Sequence, residues 1–181
     1  MLSHLAIPAP PEGLDAAIAA RIAAKTMPPG ALGRLEALAR ALGAAQGSAE
    51  PVAGPAEAIV FAADHGLVTE GVSAWPQEVT ARMVENFCRG GAAASVFARA
   101  AGARLTVVDA GVATPIAPDL PDLVAGAIRP GTRNAAREDA LTPAEVEAAL
   151  ALGARVAGEA VARGARVLAL GEMGIGNTSA A

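Results

Sequence analysis

Three short, largely apolar runs constrain the fold more than any other feature of this sequence. Ala58-Ile59-Val60-Phe61-Ala62-Ala63 leads into Asp64-His65-Gly66, Arg104-Leu105-Thr106-Val107-Val108 into Asp109-Ala110-Gly111, and Ala165-Arg166-Val167-Leu168-Ala169-Leu170 into Gly171-Glu172-Met173-Gly174. A strand with one wet face alternates apolar and polar residues. A run without that alternation belongs to a strand covered on both faces, as in a parallel sheet sandwiched by helices. Each run ends at an acidic residue beside a glycine. Parallel strands gather their carboxyl ends on one edge, where open α/β sheets hold ligands.

The segments between these runs read as helices. Thr142-Pro143-Ala144-Glu145 is a capping box with proline at the first helical position. Its helix is expected to run to about Arg163, with Gly164 just past the end. Gln77 to Ala100 is helical in composition but broken at Gly90-Gly91, which predicts two helices or a kink. Two further helices, about Leu14–Lys25 and Ala31–Ala45, precede the first strand and are separated by Met27-Pro28-Pro29-Gly30. Gln46 to Pro55 reads as a small-residue linker, giving an N-terminal helical segment, 1–50, and an α/β substrate-binding domain, 51–181. The last residues look like a loop opening a new helix, and a first turn has nothing to propagate into. The expectation is a domain truncated at its C-terminal end.

Composition excludes several classes. At 53% hydrophobic and 18% charged residues, the chain can offset the entropy of ordering, so it is not disordered. Cys88 is the lone cysteine, which rules out a disulfide scaffold and, with no base or second thiol nearby in sequence, favours an inert buried thiol. The net charge of −4 argues against a nucleic-acid binder. There is no apolar run long enough to span a membrane and no secretory signal pattern in Met1 to Pro11, so the expected location is the cytoplasm. Only His4 accompanies His65, which argues against a metal site.

Four segments carry candidate chemistry. Gly171-Glu172-Met173-Gly174-Ile175-Gly176-Asn177-Thr178 follows a strand and opens a helix, so its backbone N–H groups and the hydroxyls of Thr178 and Ser179 suit a phosphate. A tight strand-to-helix turn without a ligand explains it equally well. It is neither a Walker A loop nor a complete dinucleotide fingerprint, and no such fingerprint opens the first βα unit, which weakens a dehydrogenase reading. Asp64 and His65 at the first strand's end read either as a hydroxyl acceptor and a proton carrier or, more economically, as a capping residue and a backbone partner. Trp75, the lone tryptophan, sits beside Pro76 and either walls a flat aromatic ligand or anchors its loop. Arg129-Pro130-Gly131-Thr132-Arg133-Asn134 is a turn with two cations, read as a solvated loop ahead of a phosphate-steering one. Met83, Phe87 and Phe97 are read as core, and Glu145 as a cap.

The stretch Phe61 to Thr80, with Asp64-His65-Gly66 and Ser73-Ala74-Trp75-Pro76-Gln77-Glu78-Val79-Thr80 inside it, closely resembles one enzyme family. Met83 to Gly90 and Gly171 to Thr178 carry the same likeness, supported by Pro28 to Glu36 and Thr106 to Val112. The family is nicotinate-nucleotide–dimethylbenzimidazole phosphoribosyltransferase, and the resemblance runs from about Lys25 to Ala181. It implies a Rossmann-like parallel sheet with flanking helices, plus a smaller domain to which the N-terminal helices belong. The implied reaction moves phosphoribose from nicotinate mononucleotide to 5,6-dimethylbenzimidazole, giving α-ribazole 5′-phosphate and nicotinate. No cofactor and no metal is implied, and a homodimer is.

Carried over by motif, Glu172, Gly174, Gly176, Asn177 and Thr178 fall on the nucleotide side near the phosphate. Trp75 matches an aromatic position against the benzimidazole, and Arg82 and Met83 fall in the base pocket. Arg82 stands where the family usually has Gln, and Ala31 where it commonly has Ser. Asp64 and His65 are supporting residues. Family members are roughly twice as long, and their general-base Glu lies in the C-terminal half. No residue of this chain matches it, so this chain alone is expected to be inactive or nearly so, since losing a general base costs about 10²–10⁴-fold. The alternative is a non-catalytic nucleotide- or base-binding module.

Overall fold

The computed structural model describes residues 8–117 and 119–181; His4 lies outside the described residues. The chain divides into two compact units, Met1–Gly54 and Pro55–Ala181. In the first, α1 (Leu14–Ala23) lies beside α2 (Arg34–Gln46), with Leu14 and Ile18 buried. Gly43 makes that approach possible: a Cβ there would stand 2.6 Å from Ile18 Cδ1 and 2.9 Å from the Ser48 carbonyl oxygen. Arg40 closes the pair by donating to Asp15 at 2.9 Å. Helix α2 starts three residues later than expected because Pro28 to Gly33 form successive turns, with Ala31 N–H donating to Pro28 and Gly33 N–H to Gly30.

The second unit is a four-stranded parallel sheet: β1 (Ala56–Ala63), β2 (Arg104–Gly111), β3 (Leu123–Ala125) and β4 (Val167–Met173), in the order β3-β2-β1-β4. Helices α3 (Val79–Cys88), α4 (Ala93–Ala100) and α5 (Pro143–Ala162) form the crossovers, and α6 (Asn177–Ala180) follows β4. One face of the sheet packs Ile59 and Val108 against Leu152, Val156 and Ala160 of α5. The other packs Ala62 and Val107 against Ala81 and Val84 of α3. The chain is therefore an α/β fold, as the apolar runs require. The break at Gly90-Gly91 separates α3 from α4, as its glycines predict. The capping box forms: Glu145 N–H donates to Thr142 Oγ1, and Thr142 N–H to Glu145 Oε2 at 2.7 Å.

One strand departs from the expectation of burial on both faces. Ala169, Leu170, Gly171 and Glu172 of β4 are exposed, Leu170 at 71%. β4 is one of the two edge strands and pairs only with β1, so Leu168 leans on the α5 cluster while Ala169 to Glu172 stay open. At the amino edge of the sheet Glu57 is buried, accepting from Thr106 Oγ1 and from Arg163 at the end of α5, both at 2.7 Å. Burial pushes this carboxyl upward, and the two hydrogen bonds with the Arg163 charge outweigh it, leaving Glu57 below the usual carboxylate range. No helix among the described residues is long and apolar enough to cross a membrane.

Candidate functional site

The loops after β1 and β4 meet at the carboxyl edge of the sheet. Asp64, at the end of β1, is fully buried. Its N–H donates to the Gly111 carbonyl, its carbonyl accepts from Thr132 N–H, and Oδ2 accepts from Ala113 N–H at 2.8 Å. Oδ1 is buried without a partner among the described residues. The residue thus braces three loops and lines neither hollow described below. His65 precedes a 3₁₀ turn, Gly66–Glu70, that needs glycine at its start: a Cβ on Gly66 would lie 2.6 Å from the Thr132 carbonyl oxygen. Glu70 fastens the turn's other end, accepting from Asn134 at 2.6 Å and Arg137 at 2.9 Å. These bonds, Asn134's first, hold its carboxyl below the usual range.

The loop after β4 lies against this turn. A Cβ on Gly174 would fall on the Ala63 carbonyl oxygen and 3.1 Å from His65 Nε2. Gly176 has φ +86°, and a Cβ there would meet Val68 at 2.7 Å. Only glycine lets the two loops come this close. Ile175 N–H donates to Oγ1 of Thr80, a fully buried side chain of α3. Asn177 donates from Nδ2 to Glu172 at 2.6 Å and accepts Thr178 N–H at Oδ1. The loop therefore offers fewer free N–H groups than an open helix N-terminus would. The amides of Ile175, Asn177 and Thr178 are already spent, and α6 is four residues long.

Two hollows result. One, of about 580 Å³, is lined by Phe61, Ala63, His65, Glu172, Met173, Asn177 and Thr178. The other, of about 250 Å³, is lined by Trp75, Val72, Ser73 and the loop from Met173 to Ser179. Trp75 is 68% exposed, so it is a wall and not a core residue. His65, Glu172, Gly174, Gly176, Asn177, Thr178 and Trp75 are therefore brought together. Arg82 and Met83 are not: neither lines either hollow. Thr80, Ala81 and Val84 take the buried face of α3, and Arg82, two positions past Thr80, sits across the helix in solvent.

Among the described residues no Lys or Arg lines either hollow. The Arg129 to Asn134 turn does not supply one. Arg133 grips Glu145 at both carboxylate oxygens, 2.6 and 3.0 Å, and Arg129 Nε stands 3.5 Å from the same group. Arg133, with the capping amide of Thr142, pulls the Glu145 carboxyl down to about 2. This is a brace for α5, not a solvated loop. Burial, then Asp122, pushes the Cys88 thiol up, which keeps it protonated and unreactive. Among the described residues no group of three or more His, Cys, Asp or Glu could hold a metal ion.

Sequence reasoning missed Thr80 as a loop anchor and the Glu70–Asn134–Arg137 cluster. Thr80 left a faint signal, since it lies four residues before Val84 on what reads as the apolar stripe of a helix. The cluster left none, because its partners lie more than 60 residues apart.

A parallel sheet flanked by helices, with glycine-shaped loops at its carboxyl edge, defines an α/β class, and likeness to known proteins defines the family within it. The chain belongs to the phosphoribosyltransferase family whose model matches residues 7–181. Among curated relatives, the nicotinate-nucleotide–dimethylbenzimidazole phosphoribosyltransferase of Cupriavidus taiwanensis is 53% identical over 176 residues, 97% of this chain and 50% of the relative. That of Thermus thermophilus is 53% identical over 156 residues, 86% of this chain and 46% of the relative. The crystal structure of CobT from Thermus thermophilus superposes with a TM-score of 0.88 at 50% identity, covering 94% of this chain and 50% of that one. The chain spans about half the length of the curated relatives it matches.

Proposed function

We propose that this chain forms the substrate shelf of a phosphoribosyltransferase that takes nicotinate mononucleotide and 5,6-dimethylbenzimidazole to α-ribazole 5′-phosphate and nicotinate. The observation that carries the reading is the convergence of His65, Glu172, Asn177 and Thr178 on one hollow and Trp75 on its neighbour, with Met173 lining both. The first hollow offers a carboxylate, which suits the hydroxyls of a ribose, and an amide and a hydroxyl, which can donate to a phosphate. The second has an aromatic wall suited to a flat bicyclic base. Trp75 takes the benzimidazole, with Met173 beneath both ligands. Glu172, Gly174, Gly176, Asn177 and Thr178 take the nucleotide, and Asp64 and His65 hold the edge on which it rests.

In the reaction a benzimidazole nitrogen forms a bond to the ribose anomeric carbon as the bond to the nicotinate nitrogen breaks. The leaving group takes the electron pair, and the second benzimidazole nitrogen loses its proton. Holding the two rings on opposite sides of that carbon replaces an encounter of two solutes with a positioned attack. No residue here matches the family's general base, so this shelf binds and orients and does not itself take the proton. The same reading makes the N-terminal helical segment, 1–50, part of a smaller domain and the working protein a cytoplasmic homodimer that needs no metal or cofactor and binds neither nucleic acid nor membrane. It rests on the family likeness and the acidic charge.

The test uses the lone tryptophan, which with no tyrosine present dominates the emission. Titration with 5,6-dimethylbenzimidazole is expected to give a saturable change in Trp75 fluorescence, and calorimetry a saturable heat with nicotinate mononucleotide. Absence of both signals refutes the proposal. Release of nicotinate at an ordinary enzymatic rate refutes the assignment of this chain as a shelf without a base.

A further inference from the structure

The loop holding Gly174 and Gly176 touches the turn after β1 through glycine contacts. Such contacts limit how near the loop can come without holding it there. Its tether is a hydrogen bond across 95 residues, from Ile175 N–H to Thr80 Oγ1 at 3.1 Å. Thr80 is fully buried, in the first turn of α3, beside Ala81 and Val84 of the core. A threonine in a helix ordinarily turns its hydroxyl to its own helix backbone or to water. Here the oxygen accepts from another element, where burial removes water as a rival partner. Helix α3 begins directly after the segment carrying Trp75, so this side chain joins the wall of one hollow to the floor of both.

We infer that Thr80 is a positioning residue, fixing the Gly174–Gly176 loop for the nucleotide by accepting a hydrogen bond from the Ile175 amide. The inference rests on the reading above that this loop receives the nucleotide. Thr80 touches no substrate; it acts through the loop. Without Oγ1 the Ile175 N–H lacks this partner and the loop gains other conformations. Apparent affinity falls with the fraction of molecules still in the binding geometry. A net hydrogen bond of ordinary strength corresponds to a loss of about five- to tenfold.

The experiment compares Thr80→Val, which keeps the shape and removes the oxygen, with Thr80→Ser, which keeps the oxygen. Nicotinate mononucleotide affinity is read by calorimetry and Ile175 amide exchange by NMR. Thr80→Val is expected to weaken nucleotide binding about five- to tenfold and to speed Ile175 exchange by a similar factor. Thr80→Ser is expected to stay within about twofold of the parent in both. A loss that serine does not restore assigns the effect to packing of the methyl group and overturns the inference. So does an Ile175 amide that exchanges in the unmodified protein as fast as a free amide, a measurement that needs no variant to fold. If the unmodified protein binds no nucleotide, the functional reading fails, while the exchange data still decide whether Thr80 holds the loop.

Discussion

Alanine at Gly153 and alanine at Gly174 add the same methyl group, and the two are expected to move stability in opposite directions. Gly153 lies inside α5, and a Cβ there meets nothing within 4 Å. Alanine at a helix interior gains about 0.8–1.0 kcal/mol over glycine, largely by restricting the unfolded chain. At Gly174 the added Cβ falls on the Ala63 carbonyl oxygen. That carbonyl cannot withdraw, because the next residue donates its N–H to Gly111 in a braced edge. The loop must therefore move by about an ångström or more to restore an ordinary C···O separation. That movement breaks the Ile175–Thr80 bond and lifts Gly176 off Val68. Overpacking of about 1–3 kcal/mol plus one lost hydrogen bond of about 1 kcal/mol gives a loss of about 2–4 kcal/mol. The two variants should differ by about 3–5 kcal/mol, a gap of about one molar or more in urea midpoint. Paired urea melts with a common slope provide the assay. Shifts of the same sign, or a Gly174→Ala midpoint at the parent's value, would refute the reasoning and mean that the loop leaves Ala63 freely.

Other expectations follow from named groups. Glu145 is depressed from 4.5 to about 2, so its contribution is present in full above the ordinary carboxylate range and is lost as pH falls toward 2. Melting temperatures between those limits should drop steeply, and less steeply in Glu145→Gln. Arg163→Met strips buried Glu57 of its cation and should lower the urea midpoint more than Arg155→Ala, which breaks an exposed pair. Adding Glu57→Gln should recover part of that loss, and no recovery would count against the pairing. Leu170→Lys, on an open edge strand, should change stability by less than about 0.5 kcal/mol in urea melts, and a larger loss would mean that Leu170 is covered.

Helix α5 was legible to the residue at its start, because Thr142, Pro143 and Glu145 encode it by local hydrogen bonding alone. β1 and β2 were legible because burial on both faces writes itself as unbroken apolarity. β4 carries the same signature yet is exposed, since a run of Leu and Ala records what a strand can bury and not what covers it here. β3 was not legible, for three residues are too short to carry a period. At the site the glycines were readable, because close approach demands glycine from any sequence. Their partners Ala63, Val68 and Thr80 were not, since each is an ordinary residue made special by what lies across from it. Arg133 shows the reverse. Its charge read as a solvated one ahead of a grip on an outside anion, and it holds Glu145, 12 residues away.

The buried carboxylate of Glu57 also sets a timetable. Its two partners lie 49 and 106 residues further along the chain. A ribosome adding about 5–20 residues per second delivers Arg163 roughly 5–20 s after Glu57. Nascent β1 can pair with β2 well before β4 exists, and until then its other side stands as an unpaired edge. With so much of the sheet joined over long separations, folding is slow by topology, and the central strand is among the first made and the last completed.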